Sequence, residues 1–216
     1  MIRLHHFPQT RSMRSLWLLH EIGVSFELVI QPFDKSMRSD AYLAINPAGR
    51  VPALEIDDLT LHESGAIAEY LCERFPHAGL GRNSGDPERA AWLNWIHFAE
   101  TISQHTAALT QQHIALYDDA MRSPILMQLE AKRLAKTLAT VEGALRGDYL
   151  LSTFSAADIG VGQAVYMARH FVKLDAFPKL SEWFDRLQDR PAFQKSLPDT
   201  QRLYAKTFYA PWPVPE

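Results

Sequence analysis

The chain has 216 residues, 47% of them hydrophobic and 22% charged, with a formal net charge of −3. This composition is ordinary for a globular protein. The length allows a sizeable core without disulfide or metal staples, and the charge argues against a dedicated nucleic-acid binder, which would be basic. A single cysteine, Cys72, rules out an intrachain disulfide and fits a reducing compartment. With no stretch near the roughly 20 apolar residues of a membrane span and no secretory signal in MIRLHHFPQT, the expectation is a cytoplasmic protein with no membrane partner.

Ile2 to Phe7 alternates apolar and polar residues and reads as a strand broken by Pro8 and Gln9. Thr10 or Ser12 can cap the helix that follows through SLWLLHEI and stops at Gly23. A second strand covers Phe26 to Ile30, and a short helix is expected between Asp34 and Ile45. Asn46-Pro47-Ala48-Gly49 is a turn, followed by a strand over Val51 to Ile56, a hairpin turn at Asp57-Asp58, a strand through Thr60-Leu61-His62, and a helix from Glu63 to Phe75. The order predicts a four-stranded mixed α/β sheet with helices on its faces. Residues 79–87 lie in a Gly/Pro/Asn/Ser-rich stretch and read as a linker between a domain at 1–78 and an all-helical domain at 88–216. Helices are expected at Glu88 to Thr110, Ile125 to Leu145, Ser155 to Phe171 and Leu180 to Leu187.

Three features of the first domain bear on chemistry. Thr10-Arg11-Ser12-Met13-Arg14 lies at a strand-to-helix turn, where free N–H groups and the helix dipole favour an anion. Val51-Pro52 puts a proline into strand-like sequence; a cis peptide or an edge position would accommodate it. Glu63-Ser64 opens another helix, where the Ser64 hydroxyl and the free N–H groups can hold a carboxylate. Each taken alone reads first as ordinary helix capping or strand-edge structure, and their order along one fold pattern is what raises them together. Ser155-Ala156-Ala157-Asp158 has capping-box spacing with Asp at its fourth place, flanked by Phe154 and Ile159 as a staple. His5 and His6 point to opposite faces of a strand, and His97, His105 and His113 spread around a helix, so no metal site is expected. Cys72 reads as a core residue.

These segments resemble the cytosolic glutathione transferases over nearly the whole chain. TRSMRSLWLLHEIGVSFEL is similar to the opening helix of bacterial and fungal members, NPAGRVPAL to the cis-proline loop, and LHESGAIAEYL to the segment that grips the γ-glutamyl group. In the second domain FSAADIGVG is similar to the family's capping-box and hydrophobic-staple segment, and FPKLSEWFDRLQDRPAF to its penultimate helix and the turn that follows. The resemblance implies a thioredoxin-like N-terminal domain, an all-α C-terminal domain, glutathione as co-substrate without a metal, a small electrophilic and apolar partner, a detoxifying role and a homodimer. It implies that Thr10, Ser12 or Arg11, or a backbone N–H beside them, stabilises the glutathione thiolate. It also implies that Val51 and a cis Pro52 pair with the cysteinyl backbone, that Arg50 meets the glycyl carboxylate, and that Glu63 and Ser64 hold the γ-glutamyl end. A threonine stands at residue 10 where this subgroup more often has serine, and Ser152-Thr153 replace a glycine–acid pair. A glutathione-dependent peroxidase or disulfide oxidoreductase, and a non-catalytic glutathione binder, are the alternatives. The tail residues Tyr204, Phe208, Tyr209 and Trp212 either cover an apolar substrate or pack the tail down.

Overall fold

The computed structural model describes residues 1–32, 34–199 and 202–209. Trp212 and the rest of the terminal segment lie outside them. Contacts divide the chain into two compact units, one of Met1–Trp92 with Gln188–Leu203, the other beginning at Leu93, running to Leu187 and rejoined at Tyr204.

The first unit is the thioredoxin-like α/β layer. Strands β1 (Ile2–His6), β2 (Glu27–Ile30), β3 (Ala53–Ile56) and β4 (Leu59–His62) form one sheet in the order β2-β1-β3-β4. β1 and β2 are parallel, joined through α1 (Ser12–Ile22); β3 is antiparallel to both β1 and β4. Helix α1 ends at Gly23 in the left-handed region (φ 78°), where a glycine avoids the Cβ clash. A 3₁₀ turn at Lys35–Arg38 and helix α2 (Asp40–Leu43) fill the stretch where one short helix was expected, and α3 (Ser64–Arg74) closes the unit. Leu4, Leu54, Ile56, Met13, Trp17, Ile67 and Leu71 are almost fully buried and form its core. Cys72 lies in that core, with burial pushing its thiol up to about 12.

One helix breaks the sequence-derived division. Helix α8 (Pro191–Ser196) was expected as a turn in the helical domain, yet it packs in the first unit. Phe193 meets Trp17 edge-on at 4.9 Å, and the Arg190 guanidinium grips both oxygens of Glu21 at 2.7 and 2.8 Å. Glu21 also accepts from Trp17 Nε1. A chain-linear boundary at the linker misses this return because a six-residue helix carries too little periodicity to announce its partner.

The second unit is helical: α4 (Arg89–Thr110), α5 (Pro124–Ala144), α6 (Ala156–Ala168) and α7 (Pro178–Gln188), with α4 beginning in the first unit. Every residue of α6 is buried, so it is the axis of this core. Its first turn carries the expected capping box. Asp158 is fully buried; one oxygen accepts from Leu150 N–H and Trp183 Nε1–H, the other from the Ser155 N–H and hydroxyl. Phe154 packs on Tyr149 at 5.4 Å. The described tail is packed down: Tyr204 is buried, Phe208 stacks on His113 at 4.8 Å, and the Tyr209 hydroxyl donates to Arg169 O. Among the described residues no helix is long and apolar enough to cross a membrane.

Candidate functional site

The sheet register assembles the site. His5 pairs with Ala53, and Ala53 pairs with His62, in one row across three strands. The chain leaves β1 just beyond that row, enters β3 just before it and leaves β4 just after it. The Thr10 loop, the Val51-Pro52 segment and Glu63-Ser64 therefore emerge at the same end of the sheet. The Val51–Pro52 peptide is cis.

The β1–α1 loop is not a conventional cap. Arg11 occupies the N-cap position with helical backbone angles and no side-chain cap bond, which corrects the expectation that Thr10 or Ser12 caps α1. Their hydroxyls turn back toward the strand instead, with only a long contact of 3.4 Å from the Ser12 N–H to Thr10 Oγ1 on the helix side. Thr10 Oγ1 donates to Phe7 O at 2.7 Å and lies 2.7 Å from Ser12 Oγ; Ser12 Oγ lies 2.7 Å from Nδ1 of His6 and accepts from Phe7 N–H. Gln9 takes a left-handed conformation (φ 55°) to make the bend. Ser12 is fully buried, whereas Thr10 and Arg11 are half-buried.

The β4–α3 junction is strained. Glu63 sits at φ 84° and ψ 112° without a side-chain cap bond, a conformation costing a non-glycine residue about 1–3 kcal/mol and concentrated at functional sites. Ser64 is buried and accepts from the Arg14 guanidinium at 3.0 Å. Arg14, itself buried, thus ties the first turn of α1 to the first turn of α3 and brings a full positive charge to a helix N-terminus. Sequence reading places Arg14 at the end of the Thr10–Arg14 motif without a role; its spacing, one helical turn beyond Thr10, was the available signal.

The loop from Asn46 to Pro52 is held from inside. Asn46 Nδ2 donates to Arg50 O at 2.7 Å, its Oδ1 accepts from Ala48 N–H, and the Tyr42 hydroxyl donates to Arg50 O at 2.8 Å. Gly49 has φ 59°, and a Cβ there would stand 2.9 Å from Met37 O, so only glycine fits. A cavity of about 480 Å³ is lined by Asp34, Lys35, Met37, Arg38, Gly49 and Arg50. Arg50 was expected here; Lys35 and Arg38 were not. Among the described residues these three cations have no ion-pair partner. An anionic ligand group would meet net positive charge.

Comparison with known proteins matches residues 1–73 to the glutathione S-transferase N-terminal domain model and residues 99–186 to the glutathione S-transferase C-terminal domain model. Glutathione S-transferase F13 of Arabidopsis thaliana is 33% identical over 199 residues, covering 86% of this chain and 89% of that protein. The chain belongs to the glutathione S-transferase family. Among solved structures, a glutathione S-transferase from Xylella fastidiosa superposes with a TM-score of 0.81 at 26% identity, covering 91% of this chain and 97% of the other. A sphingomonad glutathione S-transferase complexed with glutathione gives 0.76 at 27% identity, covering 90% and 96%.

The buried histidine of the site carries a prediction. Burial pushes His6 down to about 4, against about 6.5 in an unfolded chain. The fold refuses a proton that the unfolded chain accepts, so the stability contributed by neutral His6 is complete above pH 6.5 and is lost as pH falls toward 4. The expected loss between pH 7 and pH 4.5 is about 2–3 kcal/mol from this residue. Burial also lowers His20, His113 and His170, which steepen the same limb. Urea unfolding at the two pH values checks it: His6→Asn should flatten the acid limb by about that amount, and an unchanged slope contradicts the assignment.

Proposed function

We propose that this family member is a glutathione transferase that binds glutathione across the common end of the sheet and promotes attack by its thiolate on a small, apolar electrophile. The observation that carries this is the convergence of a strained α3 N-terminus bearing Ser64 and Arg14, the cis-proline segment, and the hydroxyl-bearing start of α1. In this reading the γ-glutamyl carboxylate accepts from Ser64 and the free N–H groups of α3, and the ammonium meets Glu63. The backbone of Val51 pairs with the cysteinyl residue. The glycyl carboxylate enters the cavity edged by Arg50, Arg38 and Lys35. The cysteinyl sulfur then lies at the start of α1, where the Thr10 hydroxyl is the donor. The burial of Ser12 and its bond to His6 favour Thr10 over it, and Arg11 adds positive potential.

The energetics need no further group. A thiol starts near 8.5. A hydrogen bond to the sulfur anion contributes about 1.5–3 kcal/mol and a helix N-terminus about 0.3–1. At about 1.4 kcal/mol per unit the bound thiol falls by about one to three units, so thiolate dominates at neutral pH. The thiol proton passes to solvent. The sulfur lone pair forms a bond to the electrophilic carbon, and the leaving group departs with its electrons or, in an epoxide, stays tethered as an alkoxide that is then protonated.

The lone cysteine is buried and its thiol pushed up to about 12, which disfavours a protein-thiol disulfide exchange. A panel of aryl halides, epoxides, peroxides and mixed disulfides separates conjugation from glutathione peroxidase chemistry, and no turnover of any would leave a binder. The cytoplasmic location and the homodimer belong to the same proposal; a monomer in sedimentation at micromolar concentration would remove the second. For the binding mode, Ser64→Ala should weaken glutathione affinity by about 1–3 kcal/mol, roughly 5- to 150-fold. Calorimetry showing unchanged affinity would refute it.

A further inference from the structure

This inference rests on the reading that Thr10 donates to the bound sulfur. A hydroxyl owns one proton, so whether Thr10 can donate depends on what its neighbours ask of it. Those neighbours form a line from the core outward: His6 Nδ1, Ser12 Oγ, Thr10 Oγ1, Phe7 O, each separated from the next by 2.7 Å. A carbonyl oxygen has no proton to give, so the Thr10–Phe7 contact carries the proton of Thr10. The Thr10–Ser12 contact must then carry the proton of Ser12. That leaves the Ser12–His6 contact to be filled by a proton on His6 Nδ1. Ser12 Oγ then accepts from His6 and from Phe7 N–H at 3.2 Å and donates to Thr10 at 2.7 Å, a shorter contact than the 3.1 Å to Phe7 O, the other acceptor within its reach. The opposite tautomer, with the proton on Nε2, would draw the Ser12 proton inward and the Thr10 proton onto Ser12, setting two oxygens face to face at Phe7.

We infer that His6 is the Nδ1–H tautomer and acts as a positioning residue, orienting Ser12 so that the single proton of Thr10 is not drawn onto Ser12 and stays available for the glutathione sulfur. Thr10 then exchanges one acceptor, the neutral Phe7 carbonyl, for a stronger one, the anionic sulfur, without disturbing the bonds behind it. Burial keeps His6 neutral down to about 4, so across the neutral range its tautomer is what matters. His6 touches neither sulfur nor electrophile and acts only through Ser12 and Thr10.

Two measurements test this. Nitrogen-15 NMR of the histidine rings in the wild-type protein reads the His6 tautomer directly; a protonated Nδ1 is expected, and a protonated Nε2 overturns the inference. The pKa of glutathione's thiol when bound, read from thiolate ultraviolet absorbance, is then compared across variants. His6→Leu should raise it by about half to one unit, a roughly three- to tenfold loss of thiolate at pH below the bound value. His6→Asn, whose amide N–H stands near the place of Nδ1, should recover most of that shift, whereas a residue of merely structural value would show no such recovery. If Thr10→Val leaves the bound pKa unmoved, the donor reading itself fails and this inference with it. If Thr10→Val raises the pKa while His6→Leu does not, or Asn gives no recovery, the role of His6 alone is refuted. Should His6→Leu fail to fold, the wild-type tautomer decides.

Discussion

Asp158→Ala should remove about 3–5 kcal/mol of stability, the largest loss expected from any single substitution in the helical unit. The carboxylate accepts from four donors, and all four lie in buried or half-buried surroundings. Alanine strands each of them: the α6 cap, the Leu150 N–H of the preceding loop and the Trp183 indole of α7. A loss of that size consumes about a third or more of an ordinary domain's total stability. It should appear as a fall in melting temperature of about 6–20 °C for a chain of this length. Asp158→Asn keeps one acceptor oxygen and should lie between the two. Desolvation pushes the Asp158 carboxyl up, with the four donors opposing it. Its folded pKa exceeds the unfolded one, so its contribution is intact at low pH and is reduced as pH rises through the carboxyl range. Acid loss between pH 6.5 and 4 therefore reports His6 and its fellow histidines, joined at the low end by Glu55 and Glu130, whose carboxyls are lowered, and owes nothing to the capping box. Thermal melts of the two variants check the ranking; an alanine variant within 1 kcal/mol of wild type contradicts it.

Thr10→Val should lower turnover at pH 6.5 by about ten- to a hundredfold, because it keeps the shape of the side chain and deletes the donor, worth about one to two units of thiol pKa. Raising the pH should restore much of the lost rate, since the unassisted thiol ionises on its own. Thr10→Ser should keep most of the activity. Ser12→Ala should reproduce part of the Thr10→Val profile, because Thr10 Oγ1 loses the hydrogen bond from Ser12 that orients its own proton. A pH–rate profile for each variant separates a missing donor, which alkali rescues, from a collapsed site, which it does not. Wild-type activity in Thr10→Val would shift the role to a backbone N–H or to Arg11.

Much of the fold was legible because its elements follow simple periodicities. Ile2 to Phe7 alternates, SLWLLHEI repeats at helical spacing and stops at a glycine, and the linker announces itself by composition. Helix α8 was missed because six residues of mixed character show no period, and what holds it is the long-range pairing of Phe193 with Trp17 and of Arg190 with Glu21. At the site, the sequence pointed to the three loops without the groups that brace them. Asn46 was read as a turn residue, though its amide also binds Arg50 O. Arg14 and His6 escaped because their value depends on partners fifty and six residues away, Ser64 and Ser12. Local propensity said that Thr10 or Ser12 should cap a helix. The three-dimensional surroundings use both hydroxyls otherwise, and such a departure from the local rule is characteristic of functional positions.

The return of α8 to the first unit has a consequence for biosynthesis. Residues 1–92 emerge from the ribosome first, yet Trp17 and Glu21 find Phe193 and Arg190 only about a hundred residues later. At roughly 5–20 residues per second that is an interval of about 5–20 seconds. During it the nascent N-terminal unit carries an indole face and a carboxylate that its own segment cannot cover. A proteolytic or engineered fragment ending at Trp92 inherits the same exposed face permanently, so residues 188–196 belong in any attempt to isolate the N-terminal unit.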